Sequence, residues 1–404
     1  MTARERRGWL IVVSLFVAMF VLFGGGYNTA GVFFDPMRKY FGWSSARQSS
    51  LLTIFALTCG LTVPLFGWVL DKLEARLVMT VGILVAGCAM ILASRANSFT
   101  TITLAYVVLG VAIPPTTLLP TWLVVANWFE ERRGLALGIA TSGTSIGGMV
   151  LTIVEERAIS AVGWRAGYVL LAAMTFFIVT PLVALTVRTR PPGESGNDDG
   201  PPADQSVGMD LGAILHSRAF WLLSAAQFCY SLTSAGITVH TIPYLLRSGF
   251  SSRRAAWIYS MVMGLSAAGH FVIGYAADFV SGRITLAATL GVSAFGVLLL
   301  LGTPNHLSVC AFIVLYGITA GAPLALIPMV IAESLGLNRF GSSSGLTAIA
   351  ITLGGAIGPY LGGLLFDYGR GYGVVFAIFS FVLAMGSIAA FACPPLKRAT
   401  AAAT

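Results

Sequence analysis

Few side chains in this 404-residue chain can do chemistry, and most of them lie inside long apolar stretches. His270 sits within one stretch and His240 towards the end of another. Imidazole titrates near pH ~6.5: protonated it pairs with a carboxylate, and neutral it releases one. One buried histidine can therefore take up an anion and a proton together. A plainer role is also open to both, a neutral imidazole bonding across a helix contact. Uncharged polar groups surround the histidines in sequence: Tyr27 and Asn28 in the first stretch, and Thr116, Thr117 and Thr121 among Pro114, Pro115 and Pro120 in the fourth. Prolines free backbone groups where they interrupt a helix, while Ser and Thr also serve as helix-packing residues. Glu155, Glu156, Arg157 and Glu333 fall near stretch ends, so no Lys, Arg, Asp or Glu is read at mid-stretch. No nucleophile–base pair, metal-ligand spacing or Gly-rich phosphate loop occurs. An enzyme, a cofactor, a metal and a nucleic-acid partner are therefore not expected. The five cysteines have odd number and no framework spacing, and read as small apolar fillers.

The elements that position these residues are membrane helices. The chain is 56% hydrophobic and 10% charged, with mean hydropathy +0.85. A soluble domain carries about 25% charged residues, so this composition cannot clothe a watery surface. Apolar stretches of about 20 residues suffice to span a bilayer. They lie near 10–34, 48–70, 77–94, 100–126, 135–157 and 166–187, then near 219–244, 255–277, 284–302, 308–334, 342–366 and 374–394. The expected architecture is all-α and polytopic, twelve spans in two sets of six. The first stretch follows Arg4, Arg6 and Arg7 and is too long for a signal-peptide core. A modest Lys/Arg bias across alternate loops puts both termini in the cytoplasm of a cell (inner) membrane. The net charge of +8 suits contact with anionic lipid.

The two sets repeat. At an offset of 207 positions, Gly42, Ser44, Ser45 and Arg47 fall on Gly249, Ser251, Ser252 and Arg254. Gly67, Asp71 and Arg76 fall on Gly274, Asp278 and Arg283, Gly110 on Gly317, and Arg132, Gly138, Gly147 and Gly148 on Arg339, Gly345, Gly354 and Gly355. Loop charges in one frame with glycines require a duplicated unit rather than shared apolar composition. Residues 1–187 and 219–404 are read as six-helix bundles of like topology, joined by a Pro/Asp/Gly-rich cytoplasmic linker over 188–218. Asp71 can meet the start of another helix, with Arg76 pairing to it, and Asp278 with Arg283 can do the same. Glu130–Glu131 with Arg132–Arg133 extend the set. Exposed pairs worth about 0–1 kcal/mol suit a reversible gate.

Gly67-Trp-Val-Leu-Asp71-Lys72-Leu-Glu-Ala-Arg76 resembles the loop signature of the major facilitator superfamily, with Glu74 at the usual glycine and Leu77 at the second basic position. Gly274-x-x-x-Asp278 with Arg283 echoes it, and Gly163-Trp164-Arg165 is similar to the family's segment before the sixth helix. Trp128-Phe129-Glu-Glu-Arg132-Arg133-Gly134-Leu-Ala-Leu-Gly138, followed by Gly143 and Gly147, resembles the fifth-helix signature of monocarboxylate transporters and oxalate/formate exchangers. Phe41-Gly-Trp43-Ser44 and His240-x-x-Pro243-Tyr244-Leu245 are similar to segments of bacterial members.

The resemblance implies alternating access around a midplane site. It also implies an arginine at the place of His270, an acidic residue at that of Ser266, and in some animal members a lysine at that of Asn28. This chain lacks those fixed charges. The expectation is a monomeric secondary transporter of a small organic acid, a monocarboxylate, coupled to protons through His270. Tyr27, Asn28, Thr116, Thr117, Thr121, His240, Ser266 and His270 are the candidate substrate contacts. The alternative is a transporter or exporter of a neutral or lipophilic small molecule.

Overall fold

The structure, a computed structural model, describes residues 3–43, 45–191, 211–301, 306–366 and 371–396. Among them it is helical, without strands. Nine helices among the described residues are long and apolar enough to cross a membrane: Arg4–Asn28 (span one), Ser50–Lys72 (two), Ala75–Ser94 (three), Arg133–Val162 (five), Trp164–Thr186 (six), Arg218–Arg247 (seven), Trp257–Ala276 (eight), Phe340–Leu365 (eleven) and Gly371–Phe391 (twelve). Two bent pairs, Phe99–Ala112 with Pro114–Trp128 (span four) and Leu307–Ala320 with Pro323–Ser334 (span ten), bring the number to eleven. The shorter apolar helix Gly282–Leu298 stands where the ninth span is expected.

Local chemistry explains the breaks. Span four bends by 44° and span ten by 43°, at breaks where proline opens the following helix. Proline lacks the amide hydrogen the helix ladder needs and clashes with the preceding turn. Gly42 and Gly249, one repeat apart, take φ of 67° and 89°, which glycine adopts without Cβ strain. Ser98 caps span four by accepting from Thr101 N at 3.2 Å, and Ser217 caps span seven by accepting from Phe220 N at 3.1 Å. Large apolar side chains such as Phe177, Leu185, Phe295 and Phe381 project outward, more than half exposed, as a bilayer-facing surface requires.

Three expectations need correction. Span five runs to Val162, five residues beyond the expected 157, because nothing breaks the helix before Gly163 at φ 101°. Glu155 is thereby placed inside a span, fully buried, whereas the neighbouring Glu156 and Arg157 are exposed on the other face. Leu151, Glu155 and Ile159 share one buried stripe at helical spacing. Second, span one breaks at Thr29, and a further helix, Ala30–Phe41, follows within the stretch expected to be continuous. Third, the start of the linker is held rather than loose. Trp128 Nε1 donates to the Arg188 carbonyl at 2.8 Å and Asn127 Nδ2 to the Thr189 carbonyl at 3.2 Å. Glu74, at the position of the family's usual glycine, accepts from the Thr189 hydroxyl at 2.8 Å, and that hydroxyl accepts from Ala75 N at 2.7 Å. Residues 211–216 form a short helix, while 192–210 lie outside the described residues, as does Ser44 of the repeat register.

The two sets of six meet along two seams, span two on eleven and span five on eight. Each seam is built from glycines that bring backbones together. A Cβ on Gly67 would strike the Gly341 carbonyl, and one on Gly134 would strike the Gly274 carbonyl. A Cβ on Gly345 would lie 3.0 Å from the Val63 carbonyl oxygen, and one on Gly138 would strike the His270 carbonyl. Every one of these pairs maps onto its counterpart by the 207-residue offset. Within the sets the same holds: Gly110 packs on the Phe55 carbonyl and Thr58, Gly317 on the Val262 carbonyl and Leu265. Small residues let membrane helices approach closely enough for dispersion to hold them.

Candidate functional site

At the face of the bundle where span one begins, both seams end in a carboxylate cap. Asp71 Oδ1 accepts from Gly341 N at 2.7 Å and Oδ2 from Ser342 N at 2.8 Å, with the Ser342 hydroxyl as a third donor. Asp278 Oδ1 accepts from Gly134 N at 2.5 Å and Oδ2 from Leu135 N at 3.0 Å. Each aspartate thus closes the first turn of a span in the opposite set, where free amides and the helix dipole favour negative charge. Arg132 occupies span five's N-cap position, in the left-handed region at φ 59°. The expected arginine partners do not join in. Arg76 is exposed and makes no ion pair with Asp71, and Arg283 donates to the Cys393 carbonyl at 3.1 Å. A helix start offers paired N–H donors in fixed geometry, so the arginines are left to other work. Beneath the Asp278 cap a cavity of about 980 Å³ is lined by Glu130, Arg132, Arg133, Ser281 and Glu333.

Further up the span five–eight seam lies His270, with no exposed surface. Its Nδ1 is 3.0 Å from the Thr141 hydroxyl of span five. That hydroxyl already donates to the Leu137 carbonyl at 2.7 Å, so it can only accept from the ring. The network therefore assigns the hydrogen to Nδ1 and leaves Nε2 as a bare lone pair. Nε2 has no hydrogen-bond partner. It faces Gly321, at the break of span ten, where an added Cβ would run into both His270 Nε2 and Ser266 Oγ. His270 and Ser266, one turn apart on span eight, thus converge on a bend, and His270 also ties the two sets together.

The other candidates fall into separate places. Asn28 Nδ2 donates to the Thr144 carbonyl at 3.0 Å, and the Thr144 hydroxyl donates to the Thr141 carbonyl at 2.8 Å. Span five thereby links Asn28 to His270 through one turn of polar groups. Tyr27 is 43% exposed and stacks on Phe55 at 5.6 Å. Thr116 and Thr117 turn back to the Ile113 carbonyl at 2.9 Å each, satisfying backbone at the proline break. Thr121 is fully buried and its hydroxyl is unpaired. His240 Nε2 lies 3.0 Å from the Pro359 carbonyl, pinning span seven to span eleven within one set. His240→Ala is expected to lower the thermal midpoint in detergent by about 2–4 °C, since one hydrogen bond contributes about 1 kcal/mol. Its KM in a transport assay should be unchanged, and a KM shift would assign the ring to the substrate instead. Thr141, Gly321 and Glu155 are positions that sequence reasoning did not single out. Only the buried stripe at helical spacing signalled Glu155, and nothing local signalled the other two.

Two glycine seams, a carboxylate cap on each at one face and a buried polar site between the sets define a membrane helical bundle built from two halves. The Major Facilitator Superfamily profile matches residues 15–285 and 223–404, and the chain belongs to that family. It is 27% identical over 385 residues to monocarboxylate transporter 13 of Rattus norvegicus, covering 94% of this chain and 87% of that one. It is 28% identical over 370 residues to an MFS-type transporter of Gibberella moniliformis, covering 90% and 84%. The agnestins efflux protein of Paecilomyces divaricatus is 28% identical over 373 residues, covering 90% and 82%. Among solved structures, the E. coli fucose:proton symporter superposes with a TM-score of 0.74 at 17% identity, covering 93% of this chain and 97% of that one. These matches make the chain a multi-pass membrane transporter of small molecules and not an enzyme.

Proposed function

We propose that the chain is a secondary transporter of small organic anions, monocarboxylates foremost, coupled to protons through His270. One observation carries this reading: a fully buried imidazole with a bare Nε2, held by Thr141 of one set and pointing at the span-ten bend of the other. An unpaired polar atom in so dry a place is costly unless a ligand engages it. A proton delivered to Nε2 makes the ring a cation, and a carboxylate arriving with it neutralises that charge. Loss of the proton removes the attraction and frees the anion. In the conformation described here Gly321 covers Nε2, so the anion reaches it when span ten shifts at its bend. The relatives named as monocarboxylate transporters support the substrate class. We place both termini and the aspartate caps in the cytoplasm, which makes this conformation closed on the cytoplasmic side. Residues 1–187 and 219–404 act as the two rocking units, each chain working as a monomer.

The test is uptake of radiolabelled lactate by proteoliposomes across about pH 5–8, the range in which imidazole titrates. His270→Ala should lose at least about tenfold of uptake driven by a pH gradient, roughly 1.4 kcal/mol of binding, and its remaining uptake should be insensitive to pH. Undiminished, pH-dependent carboxylate uptake by that variant would overturn the reading. The second reading, export of a neutral or lipophilic compound, is favoured by the absence of a fixed cation at His270, Ser266 and Asn28 and by the efflux relative. Competition of lactate uptake by apolar compounds but not by acids would select it.

A further inference from the structure

Glu155 is used by nothing described above, yet it is the carboxylate most at odds with its surroundings. It lies inside span five with no exposed surface, and neither of its oxygens has a hydrogen-bond partner. The groups named against it come from spans one, five and six; the helix Ala30–Phe41 also packs on spans five and six, with its Arg38 and Lys39 exposed. From span one, Gly25 packs so closely that an added Cβ would be 3.2 Å from Glu155 Oε1, and Thr29 lies alongside with its hydroxyl given to the Gly25 carbonyl. From span six, Tyr168 is the titratable group near enough to feel its charge, its hydroxyl 3.0 Å from that of Tyr106. On span five itself, Glu156 and Arg157 point the other way into the surroundings. Among the described residues no cation is placed to balance a charge at Glu155.

A bare carboxylate in such a pocket is strongly disfavoured against the neutral acid. The segment it contacts is also unusual. Met19–Asn28 of span one is wound as a π-helix, and it ends at Thr29, whose backbone leaves helical geometry at φ −92°, ψ 0°. π-Helical stretches are rare and are found frequently at functional sites. A hydroxyl within reach of a charged Glu155 is that of Thr29, the residue at the break.

We propose that Glu155 is a second proton-binding site, whose protonation state sets the conformation of span one at Thr29. As the acid, Glu155 fits dry against Gly25 and holds Met19–Asn28 on span five. When the proton leaves, the carboxylate draws the Thr29 hydroxyl away from the Gly25 carbonyl, or admits water, and the π-helical segment loosens. Glu155 lies fourteen residues beyond Thr141 on the same helix, about 21 Å at the α-helical rise, so it sits towards the face opposite the aspartate caps. Asn28, one residue from Thr29, is bonded through Thr144 to the turn that holds His270. Glu155 thereby serves the proton coupling proposed above and rests on that reading for its purpose, though its detection needs no substrate.

The experiment uses the full chain in lipid nanodiscs, without substrate. Infrared difference spectra between acid and alkaline buffer should show a carboxylic-acid C=O band in the wild type that is lost in Glu155→Gln and kept in His270→Ala. Hydrogen exchange of Met19–Asn28, corrected for intrinsic rates, should be at least about fivefold faster at alkaline pH in the wild type and independent of pH in Glu155→Gln. Thr29→Val, which removes only the hydroxyl, should keep the infrared band and blunt the exchange response. A wild type without the band, or an exchange response that survives in both Glu155→Gln and Thr29→Val, would overturn the proposal. Because His270→Ala keeps the Glu155 band on this account, failure of the histidine reading in lactate uptake and failure of the Glu155 site are separate results.

Discussion

Leucine at Gly138 should abolish transport, with a loss of at least about a hundredfold in initial uptake rate, roughly 2.7 kcal/mol or more, while the protein still folds and inserts. The added side chain cannot be accommodated where span five crosses span eight, because its Cβ already falls on the His270 carbonyl. The obstruction is backbone, not a side chain that can swing aside, so the only relief is separation of the two sets along this seam. Separation also takes Thr141 away from His270 Nδ1 and Gly134 away from Asp278. The variant is therefore expected to be trapped open at the aspartate-capped face. Gly264→Leu on span eight and Gly363→Leu on span eleven are the controls, since a Cβ at either position meets nothing within 4 Å. Both should transport within about twofold of the wild type. Uptake by Gly138→Leu equal to that of these controls would show that the seam does not need to close.

Neutralising both caps, Asp71→Asn with Asp278→Asn, should shift the same equilibrium without any steric change. Each aspartate accepts two backbone N–H bonds from a helix start, and hydrogen bonds to a charged group contribute about 1.5–3 kcal/mol each when dry. Both carboxylates are partly exposed, which reduces that figure, so about 2 kcal/mol per cap is reasonable. One substitution then shifts the closed-to-open ratio by roughly thirtyfold, and the pair by up to about a thousandfold if the seams act independently. The measurement is the labelling rate of a cysteine placed at Leu135, with each single variant beside the double. Equal labelling in all four proteins would remove the caps from the gate. Arg76→Gln should have little effect, because Arg76 does not pair with Asp71.

The sequence reading succeeded where physics acts locally or repeats. Long apolar stretches with charges between them can only be membrane helices, whatever their packing. The offset of 207 followed from glycines and loop charges in one frame, and two of those glycines, Gly67 and Gly274, proved to lie where backbones touch, against Gly341 and Gly134. That Asp71 and Asp278 need donors was legible, because a carboxylate at the end of a span must find one. Their actual donors were not, since a helix start and an arginine compete for a carboxylate and only the crossing of the spans decides which is in reach.

What the sequence by itself determined is the membrane bundle, its duplication, and the scarcity of charge that makes His270 conspicuous. These follow from solvent transfer and chain periodicity, which depend on residue order alone. The tertiary structure alone decided which nitrogen of His270 is bare, that Ser266 and Gly321 close around it, and that Glu155 is buried while its neighbours are not. Those facts depend on which helix faces lie against each other, and close packing of distant segments is not encoded in any short window of sequence.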